Sequence, residues 1–140
     1  MFKNVMAVVV GTMCGMLCIV FMQMGIHHFY PPPPGTDLYY ADSVEQAMKV
    51  MPPIVFKLLL ASYVIAAFIA GIVATIISKR VKRNPAIVSG TIMTIAGIIN
   101  VLSVHYPFWF SMANTFAYIP FAYLGYLLIK KKVPKQDNTK

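Results

Sequence analysis

Residues 54–83 read IVFKLLLASYVIAAFIAGIVATIISKRVKR. Twenty-four residues, Ile54 to Ile77, hold one charged side chain, Lys57, near their start, and four basic residues follow within the next six positions. A helix rising 1.5 Å per residue needs about 20 apolar residues to cross some 30 Å of hydrocarbon. The segment is therefore a membrane span with a basic anchor at its C-terminal end. Three more runs match it: 5–25, 86–104 and 108–129. The chain is 59% hydrophobic and 11% charged, whereas about a quarter of the residues of a soluble domain carry charge. The expectation is an all-α integral membrane protein: one transmembrane domain, residues 1–140, built as a four-helix antiparallel bundle. A loop at 26–53 joins the first two spans and a tail at 130–140 follows the last.

The first run begins after Lys3, but it is longer than the apolar region of a signal peptide and no small-x-small cleavage site follows. It reads as a retained helix. Net charge +8 follows from topology rather than from nucleic-acid binding, and no nucleic-acid partner is expected. Lys3, Lys79, Arg80, Lys82, Arg83, Lys130, Lys131, Lys132, Lys135 and Lys140 all fall on one side, ten of the twelve basic residues. The positive-inside rule then places both termini in the cytoplasm, in a cell inner membrane, with 26–53 outside. Anionic lipid headgroups are the expected partners of these clusters, at about 1 kcal/mol per basic residue.

Small residues recur on helix faces. Gly11, Cys14, Gly15, Cys18, Met22 and Gly25 form one stripe, and Gly11 with Gly15 makes the small-xxx-small pattern of closely packed membrane helices. Ala67, Ala70, Gly71, Ala74 and Ser78 repeat it in the second span, Gly90, Thr94 and Gly97 in the third, Ala113 and Ala117 in the fourth. Pro120 removes a backbone donor from the last helix and predicts a kink. Some of this seam could serve a larger membrane protein or a second copy of the chain. Cys14 and Cys18, one turn apart in an apolar span, are expected to pack rather than to pair or react.

In the loop, Pro31 to Pro34 predicts an extended segment and Gly35 a turn. Ser43 with Gln46, or Asp42 with Glu45, has capping-box spacing. Val44, Ala47, Met48 and Met51 then mark the apolar face of a two-turn amphipathic helix, stopped by Pro52 and Pro53, that lies on the membrane or caps the bundle. Phe29, Tyr30, Tyr39, Tyr40, Tyr106, Phe108, Trp109 and Phe110 form an expected interfacial belt. The segments Tyr30-Pro31-Pro32-Pro33-Pro34-Gly35-Thr36-Asp37 and His105-Tyr106-Pro107-Phe108-Trp109-Phe110, with a small-residue second helix between them, resemble those of a group of short bacterial four-span membrane proteins. The resemblance spans nearly the whole chain; it implies fold and topology and no particular activity.

The polar residues of the spans are distributed unevenly by depth. Gln23, Lys57, Ser62, Tyr63, Asn100, Ser103, Ser111 and Asn114 all fall in the outer halves, while the inner halves offer Thr12, Thr75, Ser89, Thr91 and Thr94. Threonine can satisfy its hydroxyl on its own helix, which buried amides cannot do as easily. Gln23, Ser62, Tyr63, Asn100 and Asn114 are therefore the candidate ligand-binding set, with His105 at its mouth and the Pro31–Met51 segment as its lid. Interhelical glue is the competing reading. His27, His28 and His105 share that surface with Asp37, Asp42 and Glu45, a set that could ligate a metal, although adjacent histidines are poorly placed to hold one ion. No cofactor is implied. The spans contain no Asp or Glu, which argues against an intramembrane proton relay. No Ser-His-Asp arrangement, zinc-protease motif or phosphate loop occurs. The expected role is a non-enzymatic accessory or scaffold subunit, or a binder of a lipid-like ligand from the outer face. The alternatives are an oligomeric channel or transporter, then a metal-dependent membrane enzyme.

Overall fold

The computed structural model describes residues 2–37, 39–78 and 83–132. It contains five helices: α1 (Phe2–Phe29), α2 (Ala41–Val50), α3 (Pro53–Ile77), α4 (Arg83–Ser103) and α5 (Phe108–Lys132). All but α2 are long and apolar enough to cross a membrane. The chain is thus a multi-pass membrane protein, an all-α antiparallel bundle with a short extra helix. Two features divide its ends. The loop end carries α2 and the α4–α5 turn; the basic end carries Lys3, Arg83 and Lys130–Lys132. Lys79, Arg80, Lys82, Lys135 and Lys140 lie outside the described residues.

The hub is α3, which packs against α1, α4 and α5, while α1 also meets α4. Its small residues explain this. Ala66, Ala67, Ala70, Ala74 and Gly71 are all buried, so three neighbours can approach its backbone. The α1 stripe meets α3 as expected at Gly11 and Gly15. A Cβ on Gly11 would lie 2.8 Å from Ala74 Cβ; one on Gly15 would lie 3.0 Å from both Ala70 Cβ and Met93 Sδ. At Gly25 the stripe leaves the contact: the residue is exposed, with nothing within 4 Å of an added Cβ. Cys14 and Cys18, half-buried free thiols, border the seam. Gly15→Leu should lower detergent stability by about 1–3 kcal/mol through overpacking. Gly25→Ala, in an open helical position, should raise it by about 0.5–1 kcal/mol. Thermal melting of the two variants checks the pair.

Two packing expectations are corrected. In α5 the close contact is not made by Ala113 and Ala117, which are half-buried, but by the Asn114, Tyr118, Ala122 and Gly125 face. Positions 114, 118, 122 and 125 share one side of a helix, and Gly125 backs onto the α3 backbone at Phe68 to Ile72. Helix α5 continues through Pro120, whose ring is exposed. Second, Phe110 is not an interfacial residue. It lies on that same inner face at 0% exposure, with rings of Tyr106, Phe56 and Tyr63 at 4.8, 5.9 and 6.3 Å. The belt keeps Phe29, Tyr39, Tyr40, Phe108 and Trp109, all exposed.

The loop closes by short-range geometry. Gly35 adopts φ 88°, and both the amide and the hydroxyl of Thr36 donate to the Pro33 carbonyl, which forms the turn expected there. The capping box does not form. The N-cap of α2 is Tyr40, without a side-chain cap, because the helix starts before Ser43. The Ser43 hydroxyl instead accepts the Asp37 amide at 2.8 Å, and Asp37 Oδ1 accepts the Tyr39 amide at 3.0 Å. These bonds fold the loop back on the helix start and lengthen α2 to ten residues.

Candidate functional site

Helix α2 caps the bundle rather than lying apart from it. Its apolar face, Val44, Ala47, Met48 and Met51, forms one wall of a cavity of about 370 Å³ at the loop end. The other walls come from α1 (Gln23, His27), α3 (Leu59, Tyr63), α4 (Asn100) and the α4–α5 turn (Val104, Tyr106), with Pro32, Thr36 and Tyr39 from the loop. A second chamber of about 190 Å³ continues deeper between α1 and α4, above Asn114 and Tyr118 of α5. Gln23, Tyr63 and Asn100 line both. Three expected residues therefore meet at the junction of two chambers, beneath the lid expected from the loop.

Their hydrogen bonding separates glue from lining. Asn114 is glue: it is 2% exposed, its amide donates toward the Gly97 carbonyl at 3.5 Å, and its oxygen accepts the Tyr118 hydroxyl at 3.0 Å. Gly97 has no side chain in the space that Tyr118 fills, so the α4 backbone stays within reach. Gln23 donates to the Tyr63 hydroxyl at 3.3 Å, a link between α1 and α3 that leaves its own oxygen to the cavity. Asn100 is exposed and makes no side-chain hydrogen bond to another described residue, although it faces both chambers. A ligand in the chambers can therefore bond this amide without displacing a partner among the described residues. Asn100 is accordingly the residue with capacity for a ligand.

Other candidates lie elsewhere. Ser62 is fully buried, and its hydroxyl donates to the Leu59 carbonyl of its own helix at 2.6 Å, away from both chambers. The hydroxyls of Thr75, Thr91, Thr94 and Ser103 likewise turn back on their own helices. Thr12 departs from this pattern: its buried hydroxyl has no partner among the described residues, and the Val8 carbonyl one turn back accepts the Ser89 hydroxyl at 3.3 Å instead. His105 is not among the residues that line the cavity, although Val104 and Tyr106 on either side of it are. Its side chain is 81% exposed and its Nδ1 lies 2.8 Å from Glu45 Oε2. Glu45 Oε1 lies 3.1 Å from Lys49 Nζ, so one carboxylate ties α2 to the α4–α5 turn. His27 lines the larger chamber, and His28 sits edge-on to Phe29. The three histidines are thus dispersed, and the described residues contain no group of three ligating side chains.

The Lys49 ammonium, and after it the His105 imidazole, hold the Glu45 carboxyl below its ordinary 4.5. A carboxyl lowered in the folded state stabilises above its unfolded value, and that contribution is lost as pH falls through the folded one. The latch should therefore persist through mild acid and release only below about pH 4.5. Glu45→Gln should loosen it at every pH. Ala47→Cys, on the buried underside of α2, reports this as faster alkylation at neutral pH in Glu45→Gln than in the parent. At the turn, burial raises the Tyr106 phenol above its usual range, so it stays protonated as a donor beside the cavity.

Several lining residues escape sequence reasoning. Thr36, Tyr39 and Tyr106 reach the cavity only because the turn at Gly35 and the short α4–α5 connection bring them back over the bundle. Tyr118 was within reach of inference, lying one turn beyond Asn114 on the same face. Comparison with known proteins finds no matching family model, no matching curated protein and no matching solved structure.

Proposed function

We propose that this protein is a non-enzymatic membrane protein that binds a lipid-like amphiphile in the two-chambered cavity beneath α2. The observation that carries this reading is the position of Asn100. Its side-chain amide, without a partner among the described residues, faces both chambers at the loop end of α4, under an amphipathic lid whose apolar face lines the larger one. The larger volume, about 370 Å³, falls within the roughly 300–1,000 Å³ of small-molecule sites. The lining offers hydroxyls and amides for a head and methionines and aliphatic side chains for a tail. It contains no carboxylate or thiol, and His27 is its one imidazole.

The cell location belongs to the same proposal: a bacterial inner membrane, with both termini in the cytoplasm and the cavity on the outer side. Its support is the charge bias, with Lys3, Arg83 and Lys130–Lys132 at one end against Lys49 and Lys57 at the other. Anionic headgroups would meet the basic end. Reporter fusions at Lys140 and after Gly35 should show a cytoplasmic C-terminus and an exported loop; an exported reporter at Lys140 overturns the orientation.

The binding proposal is tested by purification in mild detergent and identification of co-purifying lipids. One amphiphile per chain is expected in the parent and its loss in Val44→Trp, which fills the cavity from the lid. The same lipid content in both proteins would contradict the reading.

A further inference from the structure

Resting on that reading, we infer that the ligand enters sideways from the bilayer between α1 and α4, and that it carries one chain and an uncharged head with hydroxyl or carbonyl groups. The seam is the place to look because α1 packs chiefly on α3, and α4 chiefly on α5, while α1 and α4 meet each other less extensively. The deeper chamber occupies this seam. Three of its lining residues, Met16 of α1 with Ala96 and Asn100 of α4, are exposed on the flank of the bundle. The chamber thus has a side opening at the depth of the hydrocarbon, and a ligand passing through it need not lift the α2 lid or break the Glu45 latch.

Chamber size and lining set the ligand class. About 190 Å³ corresponds to roughly six groups the size of water, which is space for part of one chain and not for two. Met16, Ile19, Met93 and Ala96 surround it, apolar side chains of which two are adaptable methionines. No Asp, Glu, Lys or Arg lines either chamber. A phosphate or an ammonium drawn inside would lose its hydration without a fixed counter-charge, whereas Asn100, Gln23, Thr36 and Tyr39 offer neutral donors and acceptors.

The test uses a monoacylglycerol with a diazirine at the end of its chain, and the lysophosphatidic acid of the same chain, in phosphatidylcholine nanodiscs. Photolabelled peptides are mapped by mass spectrometry, with unlabelled monoacylglycerol as competitor. The expected result is displaceable labelling at Met16, Ile19, Met93 or Ala96, with the uncharged probe favoured by about tenfold or more. Ala96→Phe should abolish that labelling and leave the melting temperature unchanged. Equal or stronger labelling by the phosphate-bearing probe overturns the inferred head class. Displaceable labelling confined to α2 and Tyr106 overturns the side entrance while leaving ligand binding in the cavity intact. Labelling that competitor does not displace anywhere overturns the cavity reading and this inference with it.

Discussion

Gly71→Ala is expected to destabilise the bundle by about 3 kcal/mol or more, the largest effect of any single added methyl group. A Cβ at this position would meet the Ala122 carbonyl oxygen, with the carbonyl carbon and Cα behind it at 2.7 and 2.8 Å. None of these atoms belongs to a flexible side chain that could swing aside. Gly125 repeats the geometry from α5, where an added Cβ would meet the Phe68 carbonyl oxygen and the Ile72 nitrogen. Relief therefore requires α5 to move away from α3, the hub helix, and the Asn114–Tyr118 group moves with it. Membrane helices lack a strong hydrophobic drive to associate and depend on this close packing. Thermal melting in mild detergent measures the effect. An unchanged melting temperature would show that α3 and α5 do not approach so closely.

The architecture was legible because a bilayer leaves few choices. Uncharged runs of about 20 residues must become spans, and all four appeared, although α1 runs on past Gly25 to Phe29 and carries His27 to the cavity wall. The amphipathic pattern of Val44, Ala47, Met48 and Met51 was legible as well, but its two possible seats were not distinguishable from periodicity alone. The seat is decided by long-range contact, with Met48 and Met51 packing against the core. Depth placed Gln23, Asn100 and Asn114 in one half of the bundle; it could not say which amide was already satisfied. That depends on Gly97 letting Tyr118 lie close to α4, a fact of packing between helices. Local rules failed where tertiary partners competed. Ser43 has capping-box spacing, yet its hydroxyl serves Asp37; His105 was expected beside the amides, and its ring is instead engaged by Glu45 of α2. Phe110 looked interfacial by position along the helix and is internal by direction around it.

The second large effect concerns binding. Asn100→Leu should leave the fold intact, since its side chain bonds to no other described residue and its backbone carbonyl still accepts the Val104 amide, and replacing a polar group in the membrane by an apolar one is often neutral or stabilising. It should weaken ligand binding by about tenfold, the loss of one or two hydrogen bonds at roughly 0.5–1.5 kcal/mol each. Asn114→Leu should behave in the opposite manner. It strands the buried Tyr118 hydroxyl and should cost about 1–3 kcal/mol of stability. Lipid occupancy by native mass spectrometry, with melting recorded on the same samples of parent and Asn100→Leu, decides whether Asn100 lines a binding cavity. Occupancy that falls while the melting temperature holds or rises is the predicted result. Unchanged occupancy, or a fall in occupancy and melting together, would contradict it and return Asn100 to a purely structural role.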